Sequence, residues 1–207
     1  DPEMSRGLGD VYKRQVQVGK KILQGKQTQK VLAFYKPVGV TCTERDPHAE
    51  KKIMDMIRYP ERLTYAGRLD KDSEGLILLT NDGDLINAMM RGANRHEKEY
   101  IVKTDREITP DFLEKMAKGI YLKDLDITTR ECEIEQIGKF TFRIVLTQGV
   151  NRQIRRMCEA CGYRVKALKR IRIMNILLGD LKPGKWREVT GEELEQLQRD
   201  TGMLNRN

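Results

Sequence analysis

The run Leu76-Ile77-Leu78-Leu79 contains no polar residue; this places it in the interior of a sheet rather than on a half-solvated face. A second short run, residues 63–66, precedes it, and only the polar loop 67–75 lies between the two. A parallel crossover needs a dozen or more residues, so neighbours joined this tightly pair antiparallel. Further strands are expected at 31–35, 99–104 and 165–176. Lys36-Pro37-Val38-Gly39 ends the first of these, because proline removes a ladder donor and glycine permits a turn. Phe140, Phe142, Ile144 and Leu146 alternate as a half-buried strand does. Helices are expected at 49–57 and 83–91, and from the cap pair Thr109-Pro110 to near Gly119. Another is expected from an Asn151 cap to Gly162, and a last one opens on a capping box of Thr190 and Glu193. The pattern predicts an α+β fold, with a mixed, mostly antiparallel central sheet and flanking helices.

A chain of 207 residues can bury a substantial core without staples, and four cysteines without framework-like spacing predict reduced thiols in a cytoplasm. No apolar run reaches transmembrane length, so no membrane partner is expected. The net charge of +8 makes a polyanion the first partner to consider. Its placement is uneven. Between Asn151 and Arg172, the basic residues Arg152, Arg155, Arg156, Arg164, Lys166, Lys169, Arg170 and Arg172 meet only one acid, Glu159.

Within the loop 67–75, Asp70 sits between Gly67 and Gly75, which leave the backbone open to close approach by a ligand. It is the candidate nucleophile or base, against the ordinary reading of a solvated turn. Asp70-x-Asp72-x-Glu74-Gly75 also imitates half of a calcium loop, but Asn81 stands where that loop needs a bidentate glutamate. Cys158-x-x-Cys161 has no second pair to complete a metal site, and His48 and His96 are far apart. No metal is expected.

Ala66-Gly67-Arg68-Leu69-Asp70 followed by Gly75-Leu76-Ile77-Leu78-Leu79-Thr80-Asn81-Asp82-Gly83 resembles the active-site signature of the RsuA-like bacterial pseudouridine synthases. Lys36-Pro37-x-Gly39, Lys98-x-Tyr100, Gly149-x-Asn151-Arg152-Gln153-Ile154-Arg155-Arg156-Met157 and Gly184-x-Trp186-Arg187 match in the family's order, over about residues 31–197. The resemblance implies a catalytic domain at 30–198 built of two ferredoxin-like halves, roughly 39–95 and 30–38 with 96–198. Residues 1–29 would be a flank and the remnant of an N-terminal RNA-binding module, with Val16 to Val18 as its last strand, and 199–207 a tail.

It also implies a cofactor-free isomerase that turns a uridine of structured RNA into pseudouridine. The expected target is 23S ribosomal RNA, with a transfer RNA as the alternative substrate and a monomer as the acting form. A non-catalytic RNA-binding or ribosome-assembly protein is the rival from another class. Asp70 would be the nucleophile, Tyr100 the ring that stacks on uracil, and Arg155 the guanidinium paired with Asp70, or Arg156 if the register slips by one. Leu168 would pack against the base. Arg68 would fill the gap left by the flipped nucleotide or contact its phosphate. Asn151, Arg152, Gln153, Arg156, Lys169 and Arg170 complete the expected RNA-binding set.

Overall fold

The computed structural model describes residues 28–42 and 53–204. The expected strand at Val16 to Val18, His48 and the start of the helix expected at 49–57 lie outside the described residues. The elements run β1 (Val31–Lys36), α1 (Ile53–Met56), β2 (Thr64–Ala66), β3 (Glu74–Thr80), α2 (Gly83–Met90), β4 (Lys98–Thr104) and α3 (Pro110–Lys118). They continue with β5 (Tyr121–Leu122), β6 (Ile127–Thr128), β7 (Glu133–Gly138), β8 (Thr141–Leu146), α4 (Gln153–Ala160), β9 (Val165–Ile173), β10 (Ile176–Leu177), β11 (Trp186–Glu188) and α5 (Gly191–Asp200).

One mixed sheet carries the fold, in the order β11-β1-β3-β9-β4-β8-β7, with β2 added to β3 and β10 to β9. Every pairing in it is antiparallel except β3 with β9, where Glu74 faces Lys169 and Gly75 faces Arg170. The α+β, largely antiparallel expectation is therefore met. Since β1 runs along one edge of β3, the other edge is shared, with β9 at its start and β2 at its end. The loop between β2 and β3 emerges where these partners meet.

Both faces of β1 and β3 are covered, which explains why their sequences read as continuous apolar runs. Val31, Ala33, Leu76 and Leu78 pack with α2 and α5 residues such as Leu85 and Leu197, while Leu32, Phe34, Ile77 and Leu79 pack with Ile53 and Leu63. The other half of the sheet is covered on one face. Phe142, Ile144 and Val102 pack with Phe112 and Met116 of α3 and Ile154 and Met157 of α4. The opposite face carries an ion-pair lattice in which Arg143 meets Glu99, Glu133 and Glu135, and Arg172 meets Glu97 and Glu99.

Several boundaries depart from expectation. Thr109 caps α3 as its sequence predicts, its Oγ1 accepting from Phe112 N at 3.1 Å. The cap of α4, however, is Arg152 in the left-handed region (φ 51°, ψ 38°), not Asn151, whose side-chain oxygen instead accepts from Arg156. The Thr190–Glu193 box does not form, because Glu193 is drawn to Arg187 at 2.7 Å. The extended stretch expected to reach residue 176 breaks at Met174, whose φ of 53° turns the chain into β10. Among the described residues no helix is long and apolar enough to cross a membrane.

Candidate active site

The loop 67–73 is shaped from beneath by two buried cations. Arg170, 2% exposed, donates from Nε to Leu76 O at 2.8 Å, and from Nη2 and Nη1 to Gly67 O at 3.1 Å and Arg68 O at 3.4 Å. Lys36, with no exposed surface, donates to Pro37 O at 2.7 Å and Lys71 O at 3.4 Å, and Gly39 N adds a bond to Lys71 O. Burial lowers the Lys36 ammonium to about 8. Cys42 and Leu69 close the loop's underside through a thiol-to-carbonyl contact of 3.1 Å. A glycine is required at 75, since a β-carbon there would lie 2.3 Å from Arg170 O at φ +116°. The backbone carrying Asp70 is therefore fixed on both sides.

Asp70 itself is partly exposed and lines a cavity of about 460 Å³. Tyr100, Leu168, Arg170 and Lys98 form the more buried wall, and Arg68, Met90, Asn151 and Arg152 the exposed mouth. A volume of this size suits a single heterocycle with its sugar. The alternation of β4 places Lys98 and Tyr100 on the same side, and β9 likewise brings up Leu168 and Arg170.

Arg152 reaches Asp70 Oδ2 at 3.2 Å and forks onto Asp72 at 3.2 and 3.0 Å. That fork, ahead of Arg155, holds the Asp72 carboxyl below its ordinary range. The expected Arg155–Asp70 pair is replaced. Arg155, mostly buried, donates to Asp72 O at 3.1 Å and Ser73 Oγ at 3.0 Å, so it grips the loop two and three residues beyond the candidate nucleophile. Its left-handed backbone throws Arg152 across toward the loop, which is why the residue three positions earlier makes the contact assigned to Arg155.

The other expected RNA contacts divide. Arg68, Asn151 and Arg152 stand at the exposed mouth. Arg170 and Gln153 do not: the first is buried and held by three backbone carbonyls, and the second, 4% exposed, bonds Gln148 and Val150 to shape the turn before α4. Lys169 points away from the cavity, its ammonium 5.8 Å from the Tyr35 ring centroid. Arg156 lines a neighbouring groove of about 450 Å³ with Arg152, Arg155, Arg164 and Glu159.

The calcium resemblance dissolves, because Arg152 occupies Asp70 and Asp72 while Glu74 turns to accept from Tyr35 at 2.5 Å. Cys158 is buried in the core, its thiol pushed up to about 12 by burial. Among the described residues no group of three or more His, Cys, Asp or Glu is placed to hold a metal. Sequence reasoning passed over Lys98, quoted above only as part of a motif. Its signal was the two-residue spacing to Tyr100, which on a strand means a shared face.

Residues 30–160 match the family model described as RNA pseudouridylate synthase. The chain is 44% identical over 191 residues to the dual-specificity RNA pseudouridine synthase RluF of Escherichia coli K12, covering 91% of this chain and 63% of that protein. It is 36% identical over 172 residues to an uncharacterized RNA pseudouridine synthase of Aquifex aeolicus, covering 81% and 71%. Ribosomal large subunit pseudouridine synthase B of Vibrio cholerae is 34% identical over 177 residues, with 81% and 54% covered. The chain thus spans less than two thirds of the length of the RluF protein. A crystal structure of a pseudouridylate synthase superposes with a TM-score of 0.77 at 28% identity, over 84% of this chain and 76% of that one.

Proposed function

This chain belongs to the RNA pseudouridylate synthase family, in its RsuA-type branch, and we propose that it isomerises a uridine in structured RNA to pseudouridine with Asp70 as the nucleophile. The observation that supports this most is the convergence of Asp70, Tyr100 and Leu168 on one uracil-sized cavity with an arginine on the carboxylate. A base stacked in RNA cannot present its anomeric carbon to such a cavity, so the nucleotide is flipped out of its stack. The carboxylate then attacks C1′, or stabilises the oxocarbenium character that leads to a glycal, as the C1′–N1 bond breaks. The detached uracil turns so that C5 faces C1′, a carbon–carbon bond forms, and the C5 proton leaves. Tyr100 supplies a stacking face and an oxygen able to accept that proton. Arg152 and Arg155 hold the loop in the register this demands.

Arg156 and Arg164 of the groove beside the cavity, with Arg68 at its mouth, engage phosphates around the flipped nucleotide, and the Vibrio cholerae relative named for the ribosomal large subunit supports 23S ribosomal RNA as the target. The enzyme is proposed to act as a cytoplasmic monomer. The test is pseudouridine mapping on unmodified 23S ribosomal RNA and transfer RNA transcripts incubated with the protein and with Asp70→Asn. Conversion of a 23S site by the wild-type protein alone is expected. Conversion by Asp70→Asn would overturn the mechanism, and conversion of transfer RNA only would move the substrate.

A further inference from the structure

Among the described residues Lys98 is the one lysine on the more buried wall of the cavity, on the same face of β4 as Tyr100 and beside Leu168 and Arg170. Among the described residues its ammonium has neither a hydrogen-bond partner nor an ion-pair partner, and the side chain is half-buried in the cavity wall. The other cations of the cavity wall below the mouth are held by the protein: Arg170 by three carbonyls, and Arg155 through Nη2 by Asp72 and Ser73, its buried Nε alone lacking a partner. A half-buried lysine with no protein acceptor and its ammonium open to the cavity is a donor free for whatever fills that cavity. Of the exposed cations at the mouth, Arg152 is held by Asp70 and Asp72, which leaves Arg68 and Lys71 toward the RNA outside.

We propose that Lys98 is a catalytic residue for the isomerisation, its ammonium donating a hydrogen bond to a carbonyl oxygen of the uracil as that base departs. This rests on the isomerase reading above. When C1′–N1 breaks, the bonding electron pair moves into the ring and is shared among N1, O2 and O4, while C1′ is captured by Asp70 or loses a sugar proton to form the glycal. No proton passes from Lys98; its positive charge balances the uracil anion while the base turns. The interaction strengthens as charge builds, which is the condition for it to accelerate the step rather than merely bind the ground state. It also keeps the freed uracil within the cavity, because the anion is held by a charge that water screens poorly. Burial and the neighbouring Arg170 bring the lysine down to about 8, so it is charged at neutral pH yet easily discharged.

The test compares wild type, Lys98→Met, Lys98→Arg and Asp70→Asn in single-turnover pseudouridine formation on an unmodified 23S ribosomal RNA transcript, with RNA affinity measured in parallel. Loss of one such donor is expected to slow the Lys98→Met reaction about 10²–10³-fold at saturating RNA. Affinity should stay within about threefold, and Lys98→Arg should recover most of the rate if its fork fits. An unchanged Lys98→Met rate, or a loss confined to RNA affinity, would overturn the role while leaving the isomerase reading in place. A wild-type protein that forms no pseudouridine, or an Asp70→Asn variant as active as wild type, would overturn that reading and the role of Lys98 with it. Thermal melts of both variants confirm that a slow rate is not a folding loss.

Discussion

Arg152 Nη1 lies 3.2 Å from Asp70 Oδ2 while Nη2 lies 3.0 Å from Asp72 Oδ2, so one guanidinium ties together the two acids of the loop between β2 and β3. The contact requires Arg152 to adopt φ 51°, a region that disfavours any side chain with a β-carbon by roughly 1–2 kcal/mol. The strain is offset by the paired contacts that Arg152 makes with the two carboxylates.

Arg152→Gly separates strain from function. Glycine relaxes the left-handed turn, so the melting temperature should hold or rise, whereas the Asp70 carboxylate loses its anchor. A fall of about 10–100-fold in single-turnover rate is expected, as for a small misplacement of a reacting group. A rate equal to wild type would show that the Arg152 contact is incidental to the chemistry.

Arg170 looks like a phosphate ligand in the sequence and is a structural clamp in the fold. Arg170→Met would leave the carbonyls of Gly67, Arg68 and Leu76 without that donor, and a loss of about 3 kcal/mol or more is expected in urea unfolding. Gly75→Ala should act through the same junction, at about 2–4 kcal/mol, because its β-carbon meets the Arg170 backbone. The charge-removing Arg170→Met, assayed where it remains folded, should leave the salt dependence of RNA binding unchanged. A reduced slope would return Arg170 to the RNA interface.

How far the sequence could be read depends on whether a residue's role is local. The buried run of β3, the Thr109 cap and the position of Asp70 on a glycine-bounded loop each follow from neighbours in the chain. Propensity favours asparagine as the cap of α4, while a tertiary contact to Asp70 and Asp72 selects Arg152 in a left-handed turn. The edge strand β7 carries little apolar signal because of Glu133, Glu135 and Gln136; both acids are matched by Arg143 from β8. Burial of Arg170 and Lys36 is invisible without the fold, since each is satisfied by carbonyls brought from distant segments.

RNA affinity should weaken steeply with salt, and the groove beside the cavity says which charges are responsible. Arg164 is exposed and lines that groove with Arg152, Arg155 and Arg156. Arg164→Gln should reduce the slope of log affinity against log salt by about 0.7–0.9 for the lost phosphate contact. The rate at saturating RNA should not change. A slope equal to wild type would place the RNA backbone on another face.

The buried charge of Lys98 predicts a trade between stability and activity. Its ordinary value of 10.5 is lowered to about 8, first by desolvation and then by Arg170. Between about pH 8 and 10.5 the unfolded chain therefore binds more protons at this residue than the folded one, and stability rises with pH through that window. Below pH 8 the folded state carries the full desolvation cost. Lys98→Met removes the cost and should be more stable than wild type at pH 7, by on the order of 1–3 kcal/mol, with the difference fading toward pH 10.5. Lys36 has a similar lowered value, so the wild-type trend contains both lysines and only the difference between the two proteins isolates Lys98. Paired urea titrations at pH 7 and 10 measure it. A variant less stable than wild type at pH 7 would mean that the ammonium has a partner in the folded protein, and a lysine satisfied in that way is not held in reserve for uracil.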